Sequence, residues 1–437
     1  MKPISKEILD KELSAMGISN IASATIRQIV ALSAKLENHL GEGFVHLEMG
    51  NPGLPPSQVG IEAEREALMK GCAGKYPNIS GIPELKNNGS EFLKAFMDID
   101  IPARCIIPTV GSMQATFTLF LLLGQRLPGR DTILFIDPGF PAQHNQVKLL
   151  GLKQESLDIY DCRGEAMEAR LDAILSKGNV TAILYSNPNN PAWTNLTDVE
   201  YRILARQAEK HDIVIVEDNA YLGMDFRKRY GIPFKAPFVP TIAKYTDHCI
   251  MLVSASKIFS YAGQRIAMVC MNPAVADRKY DYLESFYEMP AFIDAYVFGV
   301  LYCASSGTAH SAQYAFAEMM KKAVEGKLDF VDTSKEYGRR ANIAKKLFMD
   351  NGFHLVYAVD GKEPISDGFF FTVGYKDMNG DELQKELLRY GISTISLPST
   401  GSKQQGVRVC VSMLCDDSSF AALGERLEAF NKDHSNL

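Results

Sequence analysis

The sequence predicts an α/β protein with two parts: a large domain whose mostly parallel sheet is sandwiched by helices, and a smaller α+β domain. Three observations support this. Short β-rich apolar runs occur at Thr132–Ile136, Thr181–Tyr185, Ile213–Glu217, Cys249–Val253 and Ile266–Cys270. Such continuous apolar runs suit strands covered on both faces. Helical patterns at Gln114–Leu123, Gly164–Ser176 and Asp198–Lys210 separate most of them, and strand–helix alternation favours a parallel sheet. The gap between Val253 and Ile266 is too short for a crossover helix, so those two strands are expected to be antiparallel neighbours.

The remaining elements follow in order. Residues 5–40 read as helices with a break near Gly17–Asn20. The run Glu48-Met-Gly-Asn-Pro-Gly-Leu-Pro-Pro56 is a Gly/Pro-rich crossing between structural regions. After about residue 320 the texture changes. A helical pattern at Thr333–Asp350 leads to Phe369–Val373, a helix at Gly380–Tyr390, the run Val407–Ser412 and a last helix at about 417–432. These predict a large domain over 55–322 and a small domain formed by 1–54 with 323–437.

Composition narrows the function classes. The 437 residues are 46% hydrophobic and 22% charged, with a net charge of −6 and no dense Lys/Arg block. A nucleic-acid or anionic-membrane partner has no support there. The eight cysteines are scattered, form no CxxC pair and have no histidine cluster beside them. They read as reduced thiols, neither a disulfide framework nor a metal site. The charged N-terminus has no apolar run and no stretch reaches spanning length, so a soluble, cytoplasmic protein is expected.

The most informative run is Ser254-Ala-Ser-Lys257-Ile-Phe-Ser-Tyr-Ala-Gly-Gln-Arg265, directly after an apolar strand. A lysine in this position can form a Schiff base with an aldehyde cofactor, while Ser254 and Arg265 hold that cofactor's phosphate. Pyridoxal 5'-phosphate (PLP) needs this chemistry. Asp218 ends the strand Ile213–Glu217, where a carboxylate can keep a pyridine nitrogen protonated. Val110-Gly-Ser-Met-Gln precedes an apolar helix, so Gly111 permits a close turn and the N–H groups of Ser112 and Met113 face an anion. In Val407-Arg-Val-Cys-Val-Ser412 the valines alternate to one face and Arg408 to the other. A guanidinium suits a carboxylate through two parallel hydrogen bonds.

These separated motifs, in this order, resemble the fold-type I PLP-dependent enzymes of the class I/II aminotransferase group over roughly residues 45–430. The resemblance implies the family fold, with a seven-stranded sheet. It implies that Lys257 forms the Schiff base and carries the Cα proton. Asn190, in Ser186-Asn-Pro-Asn-Asn-Pro191, and Tyr221, in Asp218-Asn-Ala-Tyr, would hydrogen-bond the cofactor's phenolic oxygen. Phe140, in Asp137-Pro-Gly-Phe-Pro, would stack on its ring. Tyr76, before Gly81 and Leu85-Lys86, would reach the phosphate of a neighbouring subunit, which implies a homodimer. Gly50 would approach the substrate through its backbone, and Arg408 would hold the substrate α-carboxylate.

The chain departs from the family pattern at Pro191-Ala192-Trp193, where Pro-Thr-Gly is usual. The turn must carry a bulky residue where glycine is expected. Trp193 either lines the substrate side or fills core. The leading function is transamination between an L-amino acid and a 2-oxo acid. A PLP-dependent carbon–sulfur β-lyase uses the same machinery and is the alternative. A PLP-sensing transcription regulator is disfavoured by the short, non-basic segment before the resemblance. No arginine lies between Arg278 and Arg339, where dicarboxylate-specific members carry one. Tyr261, Trp193 and Phe140 instead suggest an aromatic or apolar pocket.

Overall fold

The computed structural model describes residues 2–435. Its central feature is a seven-stranded sheet. The strands are β1 (Ile106–Thr109), β2 (Thr132–Asp137), β3 (Lys153–Asp158), β4 (Val180–Ser186), β5 (Val214–Asp218), β6 (Cys249–Ser254) and β7 (Ala267–Met271). They lie in the order β1-β7-β6-β5-β4-β2-β3. Only β7 runs against its neighbours, pairing antiparallel with both β1 and β6. The short Val253–Ile266 gap therefore does what its length requires.

The five apolar runs are the inner strands, and their residues are buried on both faces. The two strands not located from the sequence are the sheet's edges. β1 is four residues long and contains Pro108, a residue that edge strands tolerate because one side of their ladder is unpaired. β3 reads Lys-Gln-Glu-Ser-Leu-Asp and is largely solvent-facing. Its polarity hides it from a search for apolar runs and protects the edge from further pairing.

Helices cover the sheet. The helix Gly111–Gln125 is apolar almost all round and is buried against it. The helix Asp198–His211 starts with a capping box, in which Thr197 and Glu200 satisfy each other's backbone N–H groups.

A second, four-stranded antiparallel sheet lies C-terminal. Its strands are β8 (Phe353–Leu355), β9 (Phe370–Tyr375), β10 (Ile395–Ser396) and β11 (Val407–Cys410), in the order β10-β11-β9-β8. The helices Phe330–Asp350, Gly380–Arg389 and Asp417–His434 pack with it. Its core holds Phe348, Phe371, Val373, Leu387, Val407, Val409 and Phe430. The N-terminal helices, Lys6–Ala15 and Ile26–Leu40, share a cluster with Leu388 and Ile395. Val45–His46 pairs in parallel with Ile392–Ser393. Residues before the Gly/Pro crossing thus pack on the C-terminal part.

The strand expected over Val407–Ser412 stops at Cys410. Its alternation holds: Val407, Val409 and Val411 enter the small core, while Cys410 joins the large one. Arg408 and Cys410 therefore face the cleft between the two sheets.

Candidate active site

Strand register brings the sequence motifs together. Ser186 at the end of β4 pairs with Asp218 at the end of β5, and Asp218 pairs with Leu252 near the end of β6. The loops carrying Asn190, Asp218 and Lys257 thus leave one carboxyl edge side by side, where ligands sit in open parallel sheets. On the other flank Ala267 of β7 lies between Thr109 of β1 and Ser254 of β6. That register gathers the Gly111 helix start, Arg265 and Ser254.

This second group is built for an anion. Gly111 has φ 69°, and an added Cβ would run into the Arg265 guanidinium, so only glycine allows this approach. Arg265 donates to the Ala262 carbonyl at 2.8 Å and has no carboxylate partner among the described residues. The Ser112 hydroxyl is buried without a hydrogen-bond partner among the described residues. The first N–H groups of a helix, here those of Ser112 and Met113, have no intrahelical acceptor. Ser254 accepts from the Ser256 N–H at 3.2 Å and lies 3.0 Å from its hydroxyl.

Asp218 is buried. Its Oδ2 accepts from Gln143 Nε2 at 3.0 Å, and its Oδ1 has no partner among the described residues. Burial pushes the carboxyl up to about 6, against hydrogen bonds from Gln143 and the Ala220 backbone. A buried carboxylate oxygen with no donor is costly, and a cationic N–H donor would relieve it. Burial likewise lowers the Lys257 ammonium to about 8, helped by the positive charges of Arg265 and Arg408. Lys257 Nζ donates to the Gly50 carbonyl and lies 5.4 Å from the centre of the Phe369 ring.

Arg408 is fully buried. Its Nη1 donates to Asn190 Oδ1 at 3.3 Å, its Nη2 donates to the Glu48 carbonyl, and its Nε is unpartnered among the described residues. Its guanidinium lies 4.8 Å from the centre of the Phe370 ring. Tyr221 is buried among Trp193, Phe369 and Phe370. Phe140 precedes the helix Pro141–Leu149 and is partly exposed.

The residues present fit PLP. An unpaired buried carboxylate oxygen suits its ring N–H. A lysine with a lowered pKa suits its aldehyde, and a glycine-floored pocket with a free arginine suits its phosphate. Among the described residues no group of acidic, histidine or cysteine side chains could hold a metal ion.

One predicted site residue stands apart. Tyr76 is 94% exposed. Two aromatics suggested for the pocket are otherwise engaged. The Tyr261 hydroxyl donates to Glu64 at 2.6 Å. Trp193 is wholly buried, with its indole over Gly368, where a Cβ would collide with the ring. Trp193 also carries φ 62°, the left-handed conformation expected where the family has glycine.

Sequence reading missed three supports. Gln143 orients Asp218. Arg340, buried, donates to the Ser412 carbonyl and to the Gly53 carbonyl at 3.4 Å, tying the Gly/Pro crossing to the end of β11. Glu217, on the opposite sheet face, accepts from Tyr185 at 2.9 Å and from Tyr201 at 3.3 Å. Only Gln143 had a signal, since it lies one turn into the helix after Phe140.

A mixed seven-stranded sheet of this order, with a lysine, an aspartate and an arginine gathered at its carboxyl edge, defines the fold of the PLP-dependent transferases. The chain belongs to the aminotransferase class I and II family, whose model matches residues 42–418, and is an aminotransferase. An aspartate aminotransferase of Pyrococcus horikoshii is 26% identical over 429 residues, covering 94% of each chain. A probable aspartate aminotransferase of Methanocaldococcus jannaschii is 26% identical over 253 residues, so the match spans 58% of this chain and 62% of that relative. A Thermus thermophilus aspartate aminotransferase tetra mutant complexed with tryptophan superposes with a TM-score of 0.74 at 20% identity. That superposition covers 98% of this chain and all of the other.

Proposed function

We propose that the chain moves an amino group between an L-amino acid and a 2-oxo acid, with PLP held by Lys257. The observation that carries this reading is the delivery of Asn190, Asp218 and Lys257 to one edge by three adjacent, in-register strands. When bound, PLP supplies an aldehyde that takes up the amino group and a ring that accepts electron density. Asp218 would hold the ring N–H. Asn190 and Tyr221 would hold the phenolic oxygen, and Phe140 would pack against the ring. Ser112, Met113, Ser254 and Arg265 would hold the phosphate.

Arg408 grips the substrate α-carboxylate through two N–H groups, in exchange for its contacts with Asn190 and the Glu48 carbonyl. Gly50 lies against Phe369 and Phe370 and presents its carbonyl to Lys257. Lys257 takes the proton from Cα of the amino donor. A pKa near 8 leaves a usable share of neutral amine near neutral pH.

The same reading makes Tyr76 a residue of the second subunit's site in a homodimer, and its exposure favours that role. It divides the chain into a large domain over 55–322 and a small one over 1–54 with 323–437; the second apolar core supports a separate C-terminal unit, while the large core also takes in Phe330, Tyr337, Phe369 and Phe370. Among the described residues no helix is long and apolar enough to cross a membrane. Six of the eight cysteines are buried thiols, which suits a reducing cytoplasm.

A panel of amino donors with pyruvate and with 2-oxoglutarate tests the proposal. It predicts a new amino acid formed from the oxo acid in step with donor loss. Release of pyruvate and ammonia without any acceptor would contradict it.

A further inference from the structure

Asp360 is the one buried residue in the stretch 358–364, whose other members are all exposed. It sits on a two-stranded hairpin, Val359–Asp360 with Glu363–Pro364, that belongs to neither large sheet. A hairpin that buries a single carboxylate has its purpose in what that carboxylate holds. Oδ1 accepts from the Asn195 N–H at 3.0 Å and from Arg163 Nη2 at 3.1 Å. Oδ2 accepts from Arg227 Nη2 at 2.7 Å and Asn195 Nδ2 at 3.3 Å. Arg163 is shared with Glu200 and the Asn195 carbonyl, and Arg227 with Asp225. Every partner lies outside the hairpin, on the large-sheet side.

Asn195 closes the loop that carries Asn190. Within it, Asn189 N–H donates to the Thr194 carbonyl at 2.9 Å, and Trp193 N–H donates to the Asn189 carbonyl at 3.0 Å. The Asn189 side chain accepts from Ala192 N–H at 2.9 Å and donates to the Pro138 carbonyl at 2.8 Å. The loop is a closed hydrogen-bonded unit, so a pull at Asn195 reaches Asn190. Further holds on the C-terminal part are Trp193 seated over Gly368, Ala192 packed with Val356, Tyr357 and Leu397, and Asn190 accepting from Arg408. The left-handed backbone at Trp193 is strained for a bulky residue and persists only if both ends of the loop are held.

We infer that Asp360 is a positioning residue for the amino-transfer reaction. From the small-domain hairpin it fixes the Asn189–Asn195 loop, and so sets Asn190 against Arg408. This rests on the role proposed for Asn190. The expected cost of release follows from how steeply catalysis depends on placement of the contacting groups.

Trp193 is the sole tryptophan, so its fluorescence reports this loop directly, without cofactor or substrate. The test compares the parent chain with D360A and D360N. In cofactor-free D360A, Trp193 emission should move to longer wavelength and become open to acrylamide quenching, with the cooperative melt retained. In the loaded enzyme kcat/KM should fall about ten- to a hundredfold, with D360N between parent and D360A because its amide oxygen still accepts from Asn195. If D360A loses its cooperative melt, D360N decides by the same measurements. Unchanged emission, quenching and kcat/KM in the folded variants overturns the inference. A parent chain inactive on every donor would instead count against the proposed function, and the fluorescence would still decide whether Asp360 holds the loop.

Discussion

Arg408 and Asn190 meet across the cleft between the two sheets, with Arg408 Nη1 donating to Asn190 Oδ1 at 3.3 Å. One residue comes from β11 of the small sheet and the other from the loop after β4 of the large one. Their contact marks where the substrate carboxylate and the cofactor's phenolic oxygen are proposed to lie side by side. It also leaves Arg408 Nε without a partner in a buried setting. A buried guanidinium with unused donors is poised for an anion.

Replacing Arg408 with lysine keeps a charge and loses the fork. The Arg408→Lys variant should raise KM for the amino donor on the order of a hundredfold, since hydrogen bonds to charged groups contribute about 1.5–3 kcal/mol each. Cofactor affinity, measured by equilibrium titration, should change far less. An equal loss in both would place Arg408 in the cofactor cradle.

Asp218 makes a prediction about pH. Its folded-state pKa of about 6 lies above the usual carboxyl value. Between about pH 4 and 6 the cofactor-free folded chain therefore holds more protons than the unfolded chain. Stability falls as pH rises through that window and stays lower above it. Asp218→Asn removes the buried charge while keeping an acceptor for Gln143. It should stabilise the cofactor-free chain at pH 8, by up to about 3 kcal/mol from the two-unit shift, and leave it nearly unchanged at pH 4. The same variant should bind PLP more weakly. Denaturant melts at the two pH values check the first claim, and a variant no more stable than the parent at pH 8 would refute it.

Trp193 sets two opposing effects against each other. Trp193→Gly would relieve the left-handed strain, worth about 1–2 kcal/mol. It would also empty a fully buried site, at about 3–5 kcal/mol. The cavity should win, with a net loss of about 1–4 kcal/mol by denaturant melt. Gly368→Ala should also destabilise, by about 1–3 kcal/mol, because its methyl group meets the indole.

Much of this was legible in the sequence, for a physical reason. The inner strands are buried on both faces and must be apolar throughout, so five of seven were visible as runs. The edge strands escaped because Pro108 and the polar Lys153–Asp158 segment obey edge rules instead. Asp218 at a strand end, Lys257 just past one and Arg408 within a short strand were legible because each is a chemical type that burial would otherwise forbid. Arg340 and Asp360 were not, because their nearest partners named above lie 72 and 133 positions away, and Gln143, 75 positions from Asp218, was signalled only by its place one turn after Phe140. Such pairings follow from the folded arrangement, and no local pattern announces them. Trp193 shows both sides: the glycine-like backbone was expected from the motif, while the cavity over Gly368 that accepts the indole was not.

Trapping the bond at Lys257 tests the central claim most directly. The purified chain is incubated with PLP, reduced with borohydride, digested and analysed by mass spectrometry. The account predicts one reduced pyridoxyl-phosphate adduct, on the peptide containing Lys257, and none there in Lys257→Ala. An unmodified Lys257 peptide at saturating PLP, or an adduct only on other lysines, would contradict it.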